Sequence, residues 1–469
     1  MNAKKVLSFA VGPVTTAALA LISIPLLTWY FSAGDIGRLT MLNVSVTFSL
    51  LFFSLGMDQA YVREYHETTN KPELFKTAIS PGLFLIFAAL CTVTLSGWSI
   101  SILLFDIESL LLDFFVIFAM FAKFFSRFFS LILRMQERGL TYSLCEVAAK
   151  IFFLVTILFF LLLGFQAKLE SLIAVHVLSL MVAFAFFAYN TQRDWIAALA
   201  SSVDRKKQKV MIRYAVPLIG SGISFWGLTT MDKVFLRSFS TYEELGIYSV
   251  SISFAGIALV FQAVFSTVWA PTVYKWAANG MELAKVKTVI DFVALVVTFV
   301  WASTGLLSWV LVYLLPPAYG SLPSILLAVI AYPLLYTLSE ATGLGINIKR
   351  RTIYDLIAVI SALILNAVGN WLLIPIFGAS GAAVASAVAF LLYFFIRTEA
   401  SSRIWMRFGT SKIYILVFSL AALSIYVNVS NTNNLIIKIL YMALLISSIL
   451  LFWKQVKIGI DALVAFLQR

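Results

Sequence analysis

Two cations lie inside an aromatic run of the sequence. The segment FAKFFSRFF, residues 121–129, places Lys123 and Arg127 four residues apart, and Glu146 and Lys150 repeat that spacing in the next apolar stretch. A spacing of four brings both side chains to one face of a helix. Ionisable groups in apolar helices are costly unless they face a charge partner or a wet cavity. These four residues are therefore the first candidates for a site that binds a charged molecule.

The composition of the chain indicates the solvent that surrounds these residues. Of the 469 residues, 61% are hydrophobic and only 12% are charged. Soluble domains are about 25% charged and about 45–50% apolar. The sequence therefore predicts an all-α polytopic membrane protein. The net charge of +12 does not indicate nucleic acid, because the basic residues fall between apolar runs, as the positive-inside rule expects.

Apolar stretches of about 20 residues are long enough to cross the hydrocarbon core of a membrane. Lys and Arg concentrate in alternate loops, so both termini are predicted to be cytoplasmic. Cys91 and Cys145 lie within predicted spans, so neither a disulfide nor a metal site is expected. The sequence contains fourteen candidate spans, at roughly 6–31, 38–56, 77–105, 109–134, 141–164, 170–189, 211–236, 245–268, 285–315, 321–345, 353–375, 379–397, 412–430 and 434–454.

Short matches at an offset of 209 to 212 residues indicate an internal repeat. FSAGDIG, ending at Gly37, resembles FSTYEELG, ending at Gly246, and ELFK at 73–76 matches ELAK at 282–285. Two copies of a six-span unit in the same orientation are typical of transporters with two lobes around a central cleft. The predicted domains are an N-terminal lobe, a cytoplasmic linker, a C-terminal lobe and two additional spans, at 1–190, 191–213, 214–397 and 398–469.

The fourth and fifth spans form a predicted hairpin across the short turn RMQERG. Residues equally far from this turn lie at equal depth, so Arg127 is expected level with Glu146, and Lys123 level with Lys150. At about 1.5 Å per residue, Lys123 lies about 16 Å from the inner end of its span. Arg127 and Glu146 can neutralise each other, whereas two lysines repel unless water or an anion separates them. This face is predicted to line a cavity for negative charge; the alternative is a buried network in which Lys123 reaches Glu146 or Asp113.

The second lobe contains further candidate charges. TTMDKVFLRSF holds Asp232, Lys233 and Arg237, which either face the cleft or anchor the outer interface. Asp291 and Glu340 are isolated acids in or near their spans and are candidates for proton or sodium coupling. For Asp291, the alternative is a position at the inner interface.

Three segments resemble one known family. They are INIKRRTIYDLIAVISALILNAVGNWLLIPIFGASGAAVASAVAFLLYFF at 346–395, the stretch that begins YAVPLIG at 214, and SLGMDQAYVREY. They resemble the polysaccharide transporters, the Wzx-type O-antigen flippases of the multidrug/oligosaccharidyl-lipid/polysaccharide exporter superfamily. The matching residues are Lys349, Asn366, Asn370, Ile374, Pro375, Gly378, Gly381, Ala382, Ala383, Tyr214, Pro217, Asp232, Gly246, Tyr248, Gly56, Asp58 and Arg63.

The resemblance implies a flippase in the bacterial inner membrane. Such a protein moves a lipid-linked oligosaccharide on undecaprenyl pyrophosphate from the inner to the outer leaflet by alternating access, for O-antigen, lipopolysaccharide, capsule or other surface polysaccharide. The cavity cations would hold the pyrophosphate, with Arg as a paired donor and Lys as a point charge. The implied partners are the lipid-linked oligosaccharide and membrane lipids, with a polysaccharide polymerase and a chain-length regulator as further candidates. No cofactor is implied.

Three alternatives remain. A lipid II flippase of the same superfamily would also have fourteen spans and a basic cleft. A multidrug antiporter would expel organic cations, and its cleft should be acidic. A polymerase or ligase would be an enzyme with a large outer loop, but the predicted outer loops are short and show no paired carboxylates, nucleophile elbow or metal-ligand spacing.

Overall fold

The computed structural model describes residues 3–278, 283–432 and 434–467. These residues form helices and connecting loops, without a β-strand in the described ranges. The prediction of an all-α protein is confirmed. The chain divides into two compact units, Met1–Trp226 and Gly227–Arg469.

The described residues of the first unit form nine helices and the beginning of a tenth. Helix α10 continues past the boundary between the units, and the predicted linker 191–213 holds α9 and the start of α10. The predicted domain boundaries stay a prediction. The helices are α1 (Ala3–Tyr30), α2 (Ala33–Ser54), α3 (Met57–Glu64), α4 (Lys71–Ser96), α5 (Ile100–Phe105), α6 (Leu110–Met135), α7 (Gly139–Leu162), α8 (Leu169–Asn190), α9 (Gln192–Ala200) and α10 (Arg205–Phe239).

The second unit holds the remaining helices. Helices α19 and α20 coincide closely with the last two predicted spans, while α21 was not predicted. The helices are α11 (Tyr242–Ala255), α12 (Ile257–Ala278), α13 (Leu283–Leu307), α14 (Leu311–Leu314), α15 (Leu322–Val329), α16 (Ala331–Thr342), α17 (Leu344–Ile348), α18 (Ile353–Ile404), α19 (Ser411–Ser430), α20 (Leu435–Leu451) and α21 (Trp453–Leu467), with 3₁₀ turns at Ser308–Val310 and Pro317–Tyr319.

Matching helix caps occur at the offset of the sequence repeat. The Ser32 side chain accepts a hydrogen bond from the backbone of Asp35, and Thr241, 209 residues later, accepts one from Glu244. Such caps satisfy backbone N–H groups that the first turn of a helix leaves unpaired. The turns that follow α6 and α17 share one hydrogen bond, since a backbone N–H donates to the carbonyl five residues earlier at both Arg138 and Arg351. The internal repeat stays a prediction.

A single glycine divides the longest helix. Within α18, Gly378 has φ 53° and ψ −129°, which interrupts the helical backbone. The next residue, Ala379, donates its backbone N–H to the Glu244 carboxylate at 2.8 Å. The break lies between the two spans predicted at 353–375 and 379–397, so the sequence placed this turn correctly.

Nine helices of the described chain are long and apolar enough to cross a membrane, or up to eleven if each of two bent helix pairs is one span. One bend, of 43°, separates α11 from α12, and the other, of 74°, separates α20 from α21. Helix α18 is counted once in this total although it is broken in the middle. The predicted number of fourteen stays a prediction.

Aromatic packing determines how α6 is rotated in the first unit. Phe124 and Phe128 are 1% exposed and belong to a core that includes Phe75 of α4. The ring of Phe129 stacks on that of Phe75 with centroids 6.0 Å apart. Burial of this aromatic face fixes the direction in which the polar side chains of α6 point. The predicted hairpin gave the depth of these side chains and not their direction.

Candidate functional site

A small cavity in the first unit collects several of the predicted charges. It has a volume of about 160 Å³ and lies between α2, α6, α7 and α8. Phe153, Leu180 and Phe187 contribute apolar walls. Its polar lining residues are Asn43, Lys123, Ser126, Glu146, Lys150, His176 and Ser179.

The two lysines and one acid from the predicted hairpin line this cavity together. Lys123 and Glu146 are half-buried and Lys150 is exposed. Within the described residues, none of the three has a hydrogen bond or an ion pair. With both lysines protonated and the acid ionised, the cavity carries one net positive charge. This arrangement favours an anion over a cation.

Arg127 lies elsewhere. Its Nε and Nη2 donate to Oδ2 of Asp58 at 3.0 and 2.6 Å, so its partner is Asp58 and the expected pairing with Glu146 is wrong. Asp58 is 7% exposed and follows Gly56, whose positive φ of 66° turns the chain into α3. Arg127 does not line the cavity and instead forms a partly buried ion pair with Asp58, in which the two side chains are 29% and 11% exposed.

The alternative network for Lys123 does not form either. Asp113 accepts a hydrogen bond from the backbone of Ser101 at 2.6 Å and from the hydroxyl of Ser99 at 3.4 Å. These bonds tie the start of α6 to α5. Lys123 therefore has neither of the acidic partners that the alternative required.

Four polar residues of the cavity were not predicted as site residues: Asn43, Ser126, His176 and Ser179. His176 Nε2 and Asn43 Oδ1 are 3.0 Å apart, which ties α8 to α2, and the His176 ring contacts Phe153 edge-on. Ser126 is 8% exposed, and its hydroxyl has no hydrogen-bond partner among the described residues. The sequence offered one signal for Ser126, because it lies three residues after Lys123 and so near the same helical face.

Asp232 belongs to a buried hydrogen-bond network in the second unit. It is 3% exposed, and it accepts hydrogen bonds from the hydroxyl of Tyr248 and from that of Ser386, the latter at 3.4 Å. The Lys233 ammonium is 3.9 Å from its carboxylate. Asn366 continues the network with a hydrogen bond to Ser386 at 3.2 Å. Asp232 and Lys233 thus form a pair within the described protein.

The other predicted charges of the second unit have partners too. The guanidinium of Arg237 lies 4.9 Å from the centre of the Tyr242 ring, within cation–π range. Asp291 accepts a hydrogen bond from the amide of Gln455 at 3.3 Å. The structure does not bring these residues to the cavity of the first unit.

Glu340 is not isolated, contrary to expectation. It accepts a hydrogen bond from Arg397 Nη1 at 2.8 Å, and Asp355 accepts one from Arg397 Nε at the same distance. The buried Arg397 side chain therefore joins the two acids across α16 and both halves of α18.

Sequence comparison identifies the family. The sequence profile described as polysaccharide biosynthesis protein matches residues 3–277, which is more than half of the chain. The chain belongs to the polysaccharide biosynthesis protein family. No curated protein sequence matches it.

Solved structures show the fold of this polysaccharide biosynthesis protein. It is similar to the lipid II flippase MurJ in an inward closed conformation, with a TM-score of 0.65 and 12% identity over 97% of this chain and 99% of that chain. It is also similar to a multidrug resistance MATE family transporter of the MOP superfamily, inward-facing, with a TM-score of 0.56 and 15% identity over 86% and 99% of the two chains. A third similar structure is the outward-facing conformation of a multidrug resistance MATE family transporter of the MOP superfamily. Its TM-score is 0.53, with 14% identity over 85% of this chain and 95% of that chain. At 12–15% identity, these likenesses show that the fold is shared.

In this member of the polysaccharide biosynthesis protein family, the residues that carried the resemblance do not line the cavity. Asp58 holds Arg127, whereas Asp232, Tyr248 and Asn366 form the buried network of the second unit. They stabilise helix contacts. The cavity was indicated only by the spacing of charges.

Proposed function

We propose that this membrane transporter flips a lipid-linked oligosaccharide, carried on undecaprenyl pyrophosphate, from the inner to the outer leaflet of the bacterial cytoplasmic membrane. Family membership and the flippase-type fold support this class of activity. The observation that carries the cargo assignment is the cavity in which Lys123 and Lys150 have only Glu146 as a counter-charge among the described residues. A pyrophosphate supplies the negative charge that this cavity lacks.

The positive charge of the cavity argues against export of organic cations. A cation that entered would meet two ammonium groups at close range, and each would repel it. An anionic cargo instead replaces the water around both lysines with charge-assisted hydrogen bonds.

Lipid II is the second candidate cargo. The fold matches that of the lipid II flippase MurJ over 97% of this chain. At 12% identity this likeness supports a shared fold and leaves the sugar to experiment.

Coupling to protons or sodium is part of the proposal. Asp291 is the candidate acid, since it accepts a hydrogen bond from the amide of Gln455, whereas Glu340 and Asp232 each face a basic side chain. We also propose cytoplasmic termini and action beside a polymerase and a chain-length regulator.

Gene deletion in the native host tests the function. Surface polysaccharide and the inner-leaflet pool of lipid-linked sugar are measured together. Loss of the polymer with accumulation of its lipid-linked unit is expected, and accumulation of lipid II would favour the second candidate. An unchanged surface with altered sensitivity to cationic drugs would refute both.

The cavity is tested by complementation of that deletion. The Lys123→Ala, Lys150→Ala double variant should fail to restore the surface polymer while accumulating as folded protein, because neither lysine makes a hydrogen bond or an ion pair within the described residues. Arg38→Ala is a matched control, since Arg38 lies in the same unit and hydrogen-bonds the backbone carbonyl of Phe105 outside the cavity. Normal polymer in the double variant would remove the cavity from the mechanism.

A further inference from the structure

We propose that a second cavity of the first unit, at the ends of α6 and α8 and the start of α9, binds the phosphodiester group of an anionic phospholipid. By the proposed topology this lipid belongs to the inner leaflet. It is a lipid of the surrounding membrane, so the inference is independent of the cargo. The α9 cavity, as we call it, has a volume of about 490 Å³ and is lined by Gln136, Arg138, Tyr189, Asn190, Gln192, Arg193 and Asp194.

The α9 cavity lies where two candidate membrane spans end. Helices α6 and α8 are both long and apolar enough to cross a membrane, and the cavity is lined by residues that follow α6 and by the last residues of α8. Tyr189, in the last turn of α8, is 71% exposed, and tyrosine is enriched where spans reach the membrane surface. The α9 cavity therefore lies at the depth of the lipid headgroups.

The lining of the α9 cavity is polar and carries one net positive charge. All seven lining side chains are polar, which argues against a purely apolar ligand. Arg138 and Arg193 supply two positive charges, and Asp194 is the one acid that lines the cavity within the described residues. The Asp194 carboxylate accepts a hydrogen bond from the Gln136 amide at 3.0 Å. A phosphodiester carries one negative charge, which balances the charge of this cavity.

The two arginines offer hydrogen-bond donors to a phosphate. Arg138 Nη1 donates to the backbone carbonyl of Asn190 at 2.9 Å, which holds the Arg138 side chain against the end of α8. Arg193 is exposed and makes no hydrogen bond or ion pair among the described residues. A guanidinium has five N–H donors in a planar fork that binds phosphate oxygens in pairs. Arg138 is thus positioned by the protein, and Arg193 is available for the ligand.

The surface beside the α9 cavity favours a lipid over a soluble phosphate. Ile196 and Leu199 of α9 are 53% and 68% exposed, and Phe186 of α8 is 48% exposed. Ile196 lies three residues after Arg193, so both side chains are on one face of α9. Exposed apolar side chains beside basic ones are typical of helices that lie in the membrane interface. A phospholipid can place its phosphate on the arginines and its acyl chains on these apolar side chains, whereas a soluble phosphate contacts the arginines alone.

Helix α9 is held in place at both of its ends. The Trp195 indole N–H donates to the carbonyl of Ala188 at 2.9 Å, which fixes α9 against the end of α8. Lys76 of α4 donates to the carbonyls of Leu199 and Ser201 at 2.8 and 2.6 Å. Basic pockets between spans on the cytoplasmic side are typical sites for anionic headgroups. Helix α9 lies at the start of the predicted linker 191–213, so a lipid bound here would anchor that segment to the membrane surface.

Lipid binding to the detergent-purified full-length protein tests the site. Native mass spectrometry compares the affinities for phosphatidylglycerol, which is anionic, and phosphatidylcholine, whose choline cation cancels the charge of its phosphodiester. The unmodified protein should prefer phosphatidylglycerol. Arg193→Gln should weaken phosphatidylglycerol binding about tenfold, because hydrogen bonds between charged groups are the stronger class. Arg205→Gln is a matched control that should leave binding unchanged, since Arg205 is also exposed in the segment 191–213 but does not line the α9 cavity.

Two further measurements separate a lipid from a soluble phosphate. Glycerol phosphate has the phosphate group without acyl chains, so it should not displace phosphatidylglycerol at equal concentration. The Ile196→Ser, Leu199→Ser double variant should weaken phosphatidylglycerol binding, because the acyl chains lose exposed apolar contacts. Equal affinities for the two lipids, or a preference that Arg193→Gln leaves intact, would overturn the inference. Displacement by glycerol phosphate, or full binding in the double variant, would overturn the assignment to a lipid.

Discussion

Replacing Arg397 by methionine should destabilise the second unit more than any single change to its acidic partners. Arg397 is 6% exposed at its side chain and donates to Glu340, Asp355 and Ser339, each at 2.8 Å. Met fills similar space without a charge. The two carboxylates would then share a partly buried site without a cation.

The magnitude follows from burial. Removing one partner of a buried ion pair costs about 3–5 kcal/mol. Glu340 and Asp355 are 23% and 29% exposed, so water solvates part of the stranded charge and the lower end, about 3 kcal/mol, is expected. Glu340→Gln should cost about 1 kcal/mol, because Arg397 keeps its bond to Asp355.

Thermal unfolding of the detergent-purified protein measures the relative loss of stability in the two variants. For a unit of this size, about 2–4 °C accompany each kcal/mol, so Arg397→Met should lower Tm by about 6–12 °C and Glu340→Gln by about 2–4 °C. Combining Arg397→Met with Glu340→Gln and Asp355→Asn should restore much of the loss, since neutral groups are cheaper to bury than unpaired charges. Equal shifts for the two single variants would refute the reasoning.

Three further changes test other contacts of the fold. In a double-mutant cycle, Arg127→Ala and Asp58→Asn should show an interaction free energy of about 1–3 kcal/mol. The effects of Arg127→Ala and Glu146→Gln on stability should be nearly additive. Coupling of Arg127 to Glu146 instead would contradict the observed ion pair. Gly378→Ala should lower Tm, because its φ is 53° and the new Cβ would lie 2.6 Å from a carboxylate oxygen; an unchanged Tm would show that the turn relaxes freely. Gly82→Ala should reduce the yield of folded protein, because its Cβ would lie 2.4 Å from a backbone carbonyl oxygen. The yield is measured by size-exclusion chromatography, and a wild-type amount of folded protein would show that the structure relaxes around this contact.

Local signals in the sequence were sufficient for much of the fold. Long apolar runs predicted most of the long helices, and the glycine at 378 marked the break in α18. The short helices α3 and α5 were missed, because eight and six residues are too few to establish a hydrophobic period. Helix α21 also escaped, since it follows α20 after a sharp bend of 74° that composition does not encode.

The sequence predicted how far along their helices the residues of the candidate site lie, but not which neighbouring helix each side chain faces. Counting residues from the inner turn placed Lys123 and Lys150 together, and they do line one cavity. The same counting paired Arg127 with Glu146, but its partner is Asp58, 69 residues earlier in the chain. No local pattern links α3 to α6, so a contact of this kind requires the tertiary structure.

The charges of the two units differ in a way that separates binding from stability. In the second unit, Lys233 faces Asp232 and Arg397 faces two acids, so these cations are neutralised by the protein itself. In the cavity of the first unit, Lys123 and Lys150 have no such ion pair among the described residues. Helix packing alone favours charges that are neutralised within the protein, because an unpaired charge in an apolar environment is costly. Helix packing therefore does not account for the excess positive charge of Lys123 and Lys150. Binding of an anionic cargo, as we propose, would account for it.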